Sequence, residues 1–227
     1  MDWIHQIRPH EVFSTIAICF LGWKVWQKSP TEDTTSESLK GIVNTIGNKS
    51  KYYKGHSTRV GLICKALCDA MDIHGQERQD CIEAGYLHDI GKIRLDLALL
   101  NKEEKLTETD WKLIKDHSVV GYDILKDFNV NKEVLANVLY HHENVDGTGY
   151  PLKLADVNIP MGAKIIRVAD SIDAMGSDRA YRDALSFEVI TEELIKGKGT
   201  MYDETIIDKA TNGLSPRIRL ILAQQRV

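Results

Sequence analysis

The chain has 227 residues, 43% of them hydrophobic, and 29 Lys plus Arg against 33 Asp plus Glu give a net charge of -4. That length supports one sizeable core, or one domain with a short preceding segment. The acidic balance excludes a general nucleic-acid-binding surface, which would carry a clear basic excess; a small anionic ligand would need only a local basic cluster. Residues 12–26 form the most apolar run, with Phe13, Ile16, Leu21, Trp23 and Trp26, but Lys24 interrupts it. About 15 residues fall short of the roughly 20 needed to span a bilayer. No small-residue cleavage site follows, so a cleaved secretory signal is not expected. A packing or dimerising helix is the first expectation there, membrane association the second and the cut end of an upstream region the third. Residues 28–38 are polar, rich in Ser, Thr and Glu, and read as a linker. The expected division is therefore an N-terminal apolar helix and linker over 1–35 and a cytoplasmic domain over 36–227.

From there the pattern is helical throughout, with almost no β alternation. Residues 38–48 and 53–71 carry apolar side chains at three-and-four spacing, among them Val60, Ile63, Cys64, Leu67 and Met71. The next helix covers 76–90. Thr107, with Asp110 three residues later, is a capping box opening a helix through Leu125. Asn131 caps a helix that runs to His141 and His142, residues 146–154 form a Gly/Pro loop, and Pro160 marks the first turn of a central helix, apolar on most sides. Further helices are expected over 186–196, 203–210 and 216–225. The fold class is all-α. Cys19, Cys64, Cys68 and Cys81 show no CxxC spacing and read as reduced thiols rather than a zinc site.

Residues 87–92 read Leu-His-Asp-Ile-Gly-Lys. On a helix His88 and Asp89 splay by about 100°, awkward for one mononuclear centre but suited to an aspartate bridging two metals while the histidine caps one. Lys92 returns to the same face. Alone, this could be an ordinary helix end, with Gly91 as the stop. His5, His10 and His74 lie outside any constellation and are expected at the surface. His56, His88, His117, His141 and His142 fall within 87 residues, alongside Asp89 and Asp170, several on otherwise apolar faces. Buried imidazoles without partners are costly, so a metal cluster is the better reading. A nitrogen and carboxylate set without sulfur suits iron, manganese or zinc better than calcium or magnesium. Two such metals about 3.5–4 Å apart can hold a hydroxide and neutralise a phosphodiester under in-line attack.

The sequence resembles the HD-GYP phosphodiesterases, a branch of the HD superfamily whose members hydrolyse cyclic di-GMP. The resemblance covers residues 36–210: Gly-His-Ser-Thr-Arg-Val at 55–60, Leu-His-Asp-Ile-Gly-Lys-Ile at 87–93, Lys-Leu-Thr at 105–107 and His117 in its Asp-His-Ser-Val-Val-Gly segment. It continues through His-His-Glu-Asn-Val-Asp-Gly-Thr-Gly-Tyr-Pro at 141–151, Ile-Pro at 159–160, Arg-Val-Ala-Asp-Ser-Ile-Asp-Ala-Met at 167–175 and Ser-Asp-Arg-Ala-Tyr-Arg at 177–182. It implies an HD-superfamily helical bundle with additional C-terminal helices. It also implies two divalent metal ions, iron first and manganese next. His56, His88 and Asp170 would hold one and His117, His141 and His142 the other, with Asp89 bridging. Lys92 would contact a phosphate oxygen and Asp173 would pair with Lys92 and orient it. Arg179 and Arg182 correspond to positions near the substrate phosphates or guanine, and Tyr150 belongs to the signature loop. That loop also implies a protein partner such as a diguanylate cyclase.

Three departures stand out. Tyr52 occupies the place where some members carry a third-metal glutamate, so a two-metal site is expected, with a reaction that ends at linear pGpG or runs slowly on to GMP. Residues 94–104 lack the usual prolines, and Ala180 replaces a common proline. Another cyclic dinucleotide substrate, or a receptor or scaffold without catalysis, are the alternative readings. A homodimer is a further expectation and polymeric nucleic acid is not. No sensory domain of ordinary size fits before Ser36, which would leave regulation to residues 12–26, to oligomerisation or to a separate protein.

Overall fold

The computed structural model describes residues 32–48, 50, 53–178, 183–212 and 215–223, and every regular element among them is helical. Residues 12–26, Tyr52, Ala180, Arg179 and Arg182 lie outside the described residues. The chain divides into two units, 1–37 and 38–227. Helix α1 (Glu32–Asn48) starts inside the stretch whose composition reads as a linker. Its Leu39 and Val43, one turn apart, are buried in the core, and that contact outweighs the polar composition of its first turns.

Helices α2 (His56–Ala70), α3 (Gly75–Leu87) and α8 (Met161–Gly176) pack on one another as the centre of the bundle. Ile63, Leu67, Leu87, Ile165, Ile166 and Ile172 are fully buried between them. The all-round apolar pattern of α8 is the consequence of this central place. Helix α7 (Lys132–Tyr140) lies against α3, and α6 (His117–Leu125) lies against both α7 and a 3-10 segment at Ile90–Arg94. Helices α9 (Phe187–Lys196), α10 (Glu204–Asn212) and α11 (Ser215–Ala223) complete the described C-terminal part. Among the described residues no helix is long and apolar enough to cross a membrane.

Several helix ends differ from the sequence pattern, and the differences sit beside the histidines. The helix expected over 76–90 stops at Leu87; His88 and Asp89 occupy the turn before the 3-10 segment. Gly91 does not merely end a helix. A Cβ there would lie 1.9 Å from the His117 carbonyl oxygen, so its absence lets the 3-10 segment touch α6. The run from Thr107 divides at Asp116 into α5 (Glu108–Lys115) and α6, with the Thr107–Asp110 capping box formed as expected. Helix α7 ends at Tyr140, before both His141 and His142, and Pro160 takes the cap position preceding α8. The 94–104 stretch holds a short helix, α4 (Leu97–Leu100), capped by Asp96. Cys64, Cys68 and Cys81 are buried free thiols.

Candidate metal centre

Most of the centre's imidazoles sit at helix ends, where the chain changes direction. Gly55, in the left-handed region at φ 69°, turns the chain into α2 so that His56 opens the helix pointing inward. His88 follows α3, His117 opens α6, and His141 follows α7. His56, His88, His117 and His141 are all buried. Asp170 and Asp173 come from α8, one turn apart.

Each of these four rings has its Nδ1 engaged away from the centre. His88 donates to the Gly85 carbonyl at 2.9 Å, His117 to Ile114 at 2.6 Å and His141 to Val138 at 2.7 Å. His56 donates to Asp173 Oδ2 at 2.7 Å. The Nε2 atoms therefore converge: His56 and His88 approach to 3.3 Å and His117 and His141 to 3.2 Å. A carbonyl can only accept, so Nδ1 carries the proton and the neutral ring's Nε2 is a lone pair. Such lone pairs facing each other are the donor arrangement a metal cation needs.

Asp89 lies between the two groups. Its Oδ2 is 3.3 Å from His56 Nε2 and 3.4 Å from His88 Nε2, whereas its Oδ1 is 3.4 Å from His117 Nε2. Asp170 Oδ1 is 3.4 Å from His56 Nε2 and 4.0 Å from His88 Nε2. Ligand atoms of His56, His88 and Asp170 lie within 4.8 Å of one another, as do those of His117, His141 and His142. His142 stacks on Tyr150, centroids 4.7 Å apart, and Lys115 Nζ lies 5.4 Å from the Tyr150 centroid.

The electrostatics differ between the two groups. Burial pushes His117 down to about 4, and it also holds His141 and His142 well below the ordinary imidazole range, reinforced by their neighbouring histidines. Burial opposes protonation of His56 too, but its hydrogen bonds to the Asp173 and Asp89 carboxylates, with their negative charge, outweigh it and raise His56 to about 9. Burial alone would raise Asp89; His88, Lys92 and His56 together hold it well below the usual carboxylate range.

The structure thus brings together His56, His88, Asp89, Lys92, His117, His141, His142, Tyr150, Asp170 and Asp173. One expected pairing is corrected. Asp173 does not hold Lys92: its carboxylate takes the Arg59 guanidinium, Nε to Oδ1 at 2.5 Å and Nη2 to Oδ2 at 3.0 Å, as well as His56. Lys92 instead donates to Asp89 Oδ2 at 2.6 Å. A fully buried carboxylate needs a cation beside it, and Arg59 is the one that α2 delivers. Sequence reasoning missed Arg59, although three-residue spacing from His56 between apolar neighbours was a signal. It missed Glu143 as well, whose buried carboxylate accepts from Leu152 N at 2.7 Å and Leu154 N at 3.1 Å and so fixes the loop carrying Tyr150.

Comparison with known proteins agrees with this architecture. Residues 41–206 match the HD domain family. The chain is 32% identical over 181 residues to 3'3'-cGAMP-specific phosphodiesterase 2 of Vibrio cholerae, covering 78% of this chain and 34% of that protein. It is 28% identical over 166 residues to the cyclic di-GMP phosphodiesterase PdeB of Borreliella burgdorferi, covering 73% of this chain and 44% of that one. The chain thus spans well under half the length of these curated relatives. A solved cyclic GMP-AMP specific phosphodiesterase of V. cholerae superposes with a TM-score of 0.64 at 16% identity, over 84% of this chain and 52% of that chain, which shows a shared fold.

Proposed function

This chain belongs to the HD domain family, in its HD-GYP branch, and we propose that it hydrolyses a cyclic dinucleotide, cyclic di-GMP in the first instance, using two divalent metal ions. The observation that carries the reading is Asp89, whose two oxygens face two separate histidine groups. His56, His88 and Asp170 would hold one ion, His117, His141 and His142 the other, and Asp89 both. Iron is the first expectation and manganese the second, as the HD-GYP resemblance implies; the donor set of nitrogen and carboxylate oxygen without sulfur suits iron, manganese or zinc. When bound, such a pair supplies Lewis acidity at phosphate oxygens and makes water acidic enough to attack phosphorus at neutral pH.

The side chains do the rest. The Nδ1 contacts of His88, His117 and His141 keep those rings' Nε2 atoms turned inward and deprotonated. Lys92, beside Asp89, would meet a phosphate oxygen as negative charge develops there. Asp173 and Arg59 fix the His56 ring. Tyr150 offers an aromatic face near the second histidine group, and Arg179 and Arg182 would contact phosphate or guanine. Linear pGpG is the expected first product, with slow conversion to GMP, since Tyr52 supplies no carboxylate for a third metal. Residues 1–35 are read as a separate segment that associates with a membrane or a second copy, and the loop at 149–151 as a surface for a protein partner such as a diguanylate cyclase.

A second reading, with 3'3'-cGAMP as substrate, is favoured by the similarity to the V. cholerae enzyme. Metal analysis of anaerobically purified protein, followed by product analysis on both nucleotides, tests these readings together. Linear product from one of them with about two metals per chain is expected. Tight nucleotide binding without product, in the presence of reduced iron or manganese, would make the protein a receptor instead.

A further inference from the structure

Lys92 is gripped from two sides. Its Nζ donates to Asp89 Oδ2 at 2.6 Å, and it also lies 4.3 Å from the centroid of the Tyr53 ring. Tyr53 is itself tied to the centre. Its carbonyl accepts from His56 N at 3.1 Å, and its ring meets His56 edge-on, centroids 5.9 Å apart at 77°. Tyr53 and Lys92 line one cleft, together with His56, Asp89 and Leu100 among others. Tyr53 thus bears on the centre through its contact with Lys92.

Within the phosphodiesterase reading above, on which this inference rests, we propose that Tyr53 is a positioning residue: its ring face holds the Lys92 ammonium in place for a phosphate oxygen. Asp89 cannot do this alone. Its Oδ2 faces His56 and His88 as well as Lys92, so any cation held by those rings competes for the same oxygen. The Tyr53 ring has no such second claim from a metal, because its quadrupole attracts the ammonium without donating a lone pair to it. An ammonium has three N–H groups. One meets Asp89 and one faces the ring, which leaves the third for substrate.

The test compares Tyr53→Leu, Tyr53→Phe and Tyr53→Leu in a Lys92→Ala background. Turnover of cyclic di-GMP and 3'3'-cGAMP is measured with manganese, together with the Lys92 ε-methylene proton shift in metal-free protein. A desolvated cation–π contact corresponds to about a five- to thirtyfold effect, which is the expected loss of turnover for Tyr53→Leu at unchanged metal content. Tyr53→Phe keeps the ring and should recover most of that loss. In the Lys92→Ala background Tyr53→Leu should add nothing. An equal loss in that background, or no recovery by Phe, overturns the proposal. Should wild-type protein turn over neither nucleotide, the functional reading fails, and the Lys92 shift still decides the positioning role. Loss of the ring-current shift in the Leu variant alone supports it, and a shift unmoved by Tyr53→Leu refutes it.

Discussion

His117 and His141 point their Nε2 atoms at each other across 3.2 Å while each commits its Nδ1 proton to a backbone carbonyl. Two lone pairs at that distance repel, and a shared cation turns the repulsion into coordination. Adding manganese to chelator-treated protein should therefore raise the unfolding temperature. At a hundredfold excess over the dissociation constant the gain is about 2.7 kcal/mol per site. His141→Ala should halve the bound metal measured by elemental analysis. A melting curve indifferent to manganese would argue against a metal centre.

Arg59→Ala should destabilise the metal-free protein by about 1–3 kcal/mol, because the buried Asp173 carboxylate loses its guanidinium while keeping His56 and Ser177. Arg59→Lys should recover only part of this, since a point charge cannot reproduce a fork spanning both oxygens. Denaturant unfolding of chelator-treated protein reads the effect without a metal contribution.

Two glycine substitutions make opposite predictions. At Gly91 a methyl group would collide with the His117 carbonyl, backbone against backbone, so Gly91→Ala should cost about 3 kcal/mol and lower metal retention. At Gly41, in the exposed part of α1, a methyl group meets nothing within 4 Å, and Gly41→Ala should stabilise by about 0.5–1 kcal/mol through helix propensity. Thermal unfolding of the two variants side by side checks both signs.

Glu143→Gln should loosen the Tyr150 loop. The amide keeps one acceptor oxygen for two backbone N–H groups and turns its own N–H₂ toward the other, at a cost of about 1–3 kcal/mol. Hydrogen exchange at Leu152 and Leu154 should accelerate, while the amides of α2 keep their protection.

The two histidine groups should respond differently to pH. His117 has its folded pKa depressed to about 4, so the stability it contributes is present above the unfolded value near 6.5 and is lost as pH falls through 4. His56 is raised to about 9, so its contribution is complete below 6.5 and is lost as pH rises through 9. Metal must displace the His56 proton but finds His117, His141 and His142 already neutral. Manganese affinity measured from pH 6.5 to 9 should therefore rise at one site and stay level at the other. A parallel rise at both would contradict this asymmetry.

Most of the helices were legible in the sequence because their apolar spacing and caps are local: Thr107 with Asp110, Asn131 and Ser186 all cap as their residue types suggest. The histidines and carboxylates were legible because their types and order match a known pattern. The partner of Asp173 was not. Spacing within α8 says which face a carboxylate shares, but the cation comes from α2, 114 residues earlier. The ends at Leu87 and Tyr140 were missed for a related reason. Ile90 and the histidines continue a helical period, so neither end shows in the spacing; beyond Leu87 the chain packs Gly91 against α6, a contact between distant segments.

The contacts from His88, His117 and His141 to carbonyls three residues earlier share a further property. The acceptor is main chain, so no particular side chain at 114 or 138 is required to aim the ring. Three of the centre's imidazoles carry their own orientation as part of the local turn, and distant parts of the fold need only set the spacing between turns. Such a centre tolerates sequence drift around it, and as a set of helix ends it could be transplanted into another bundle that holds three turns at the same separation.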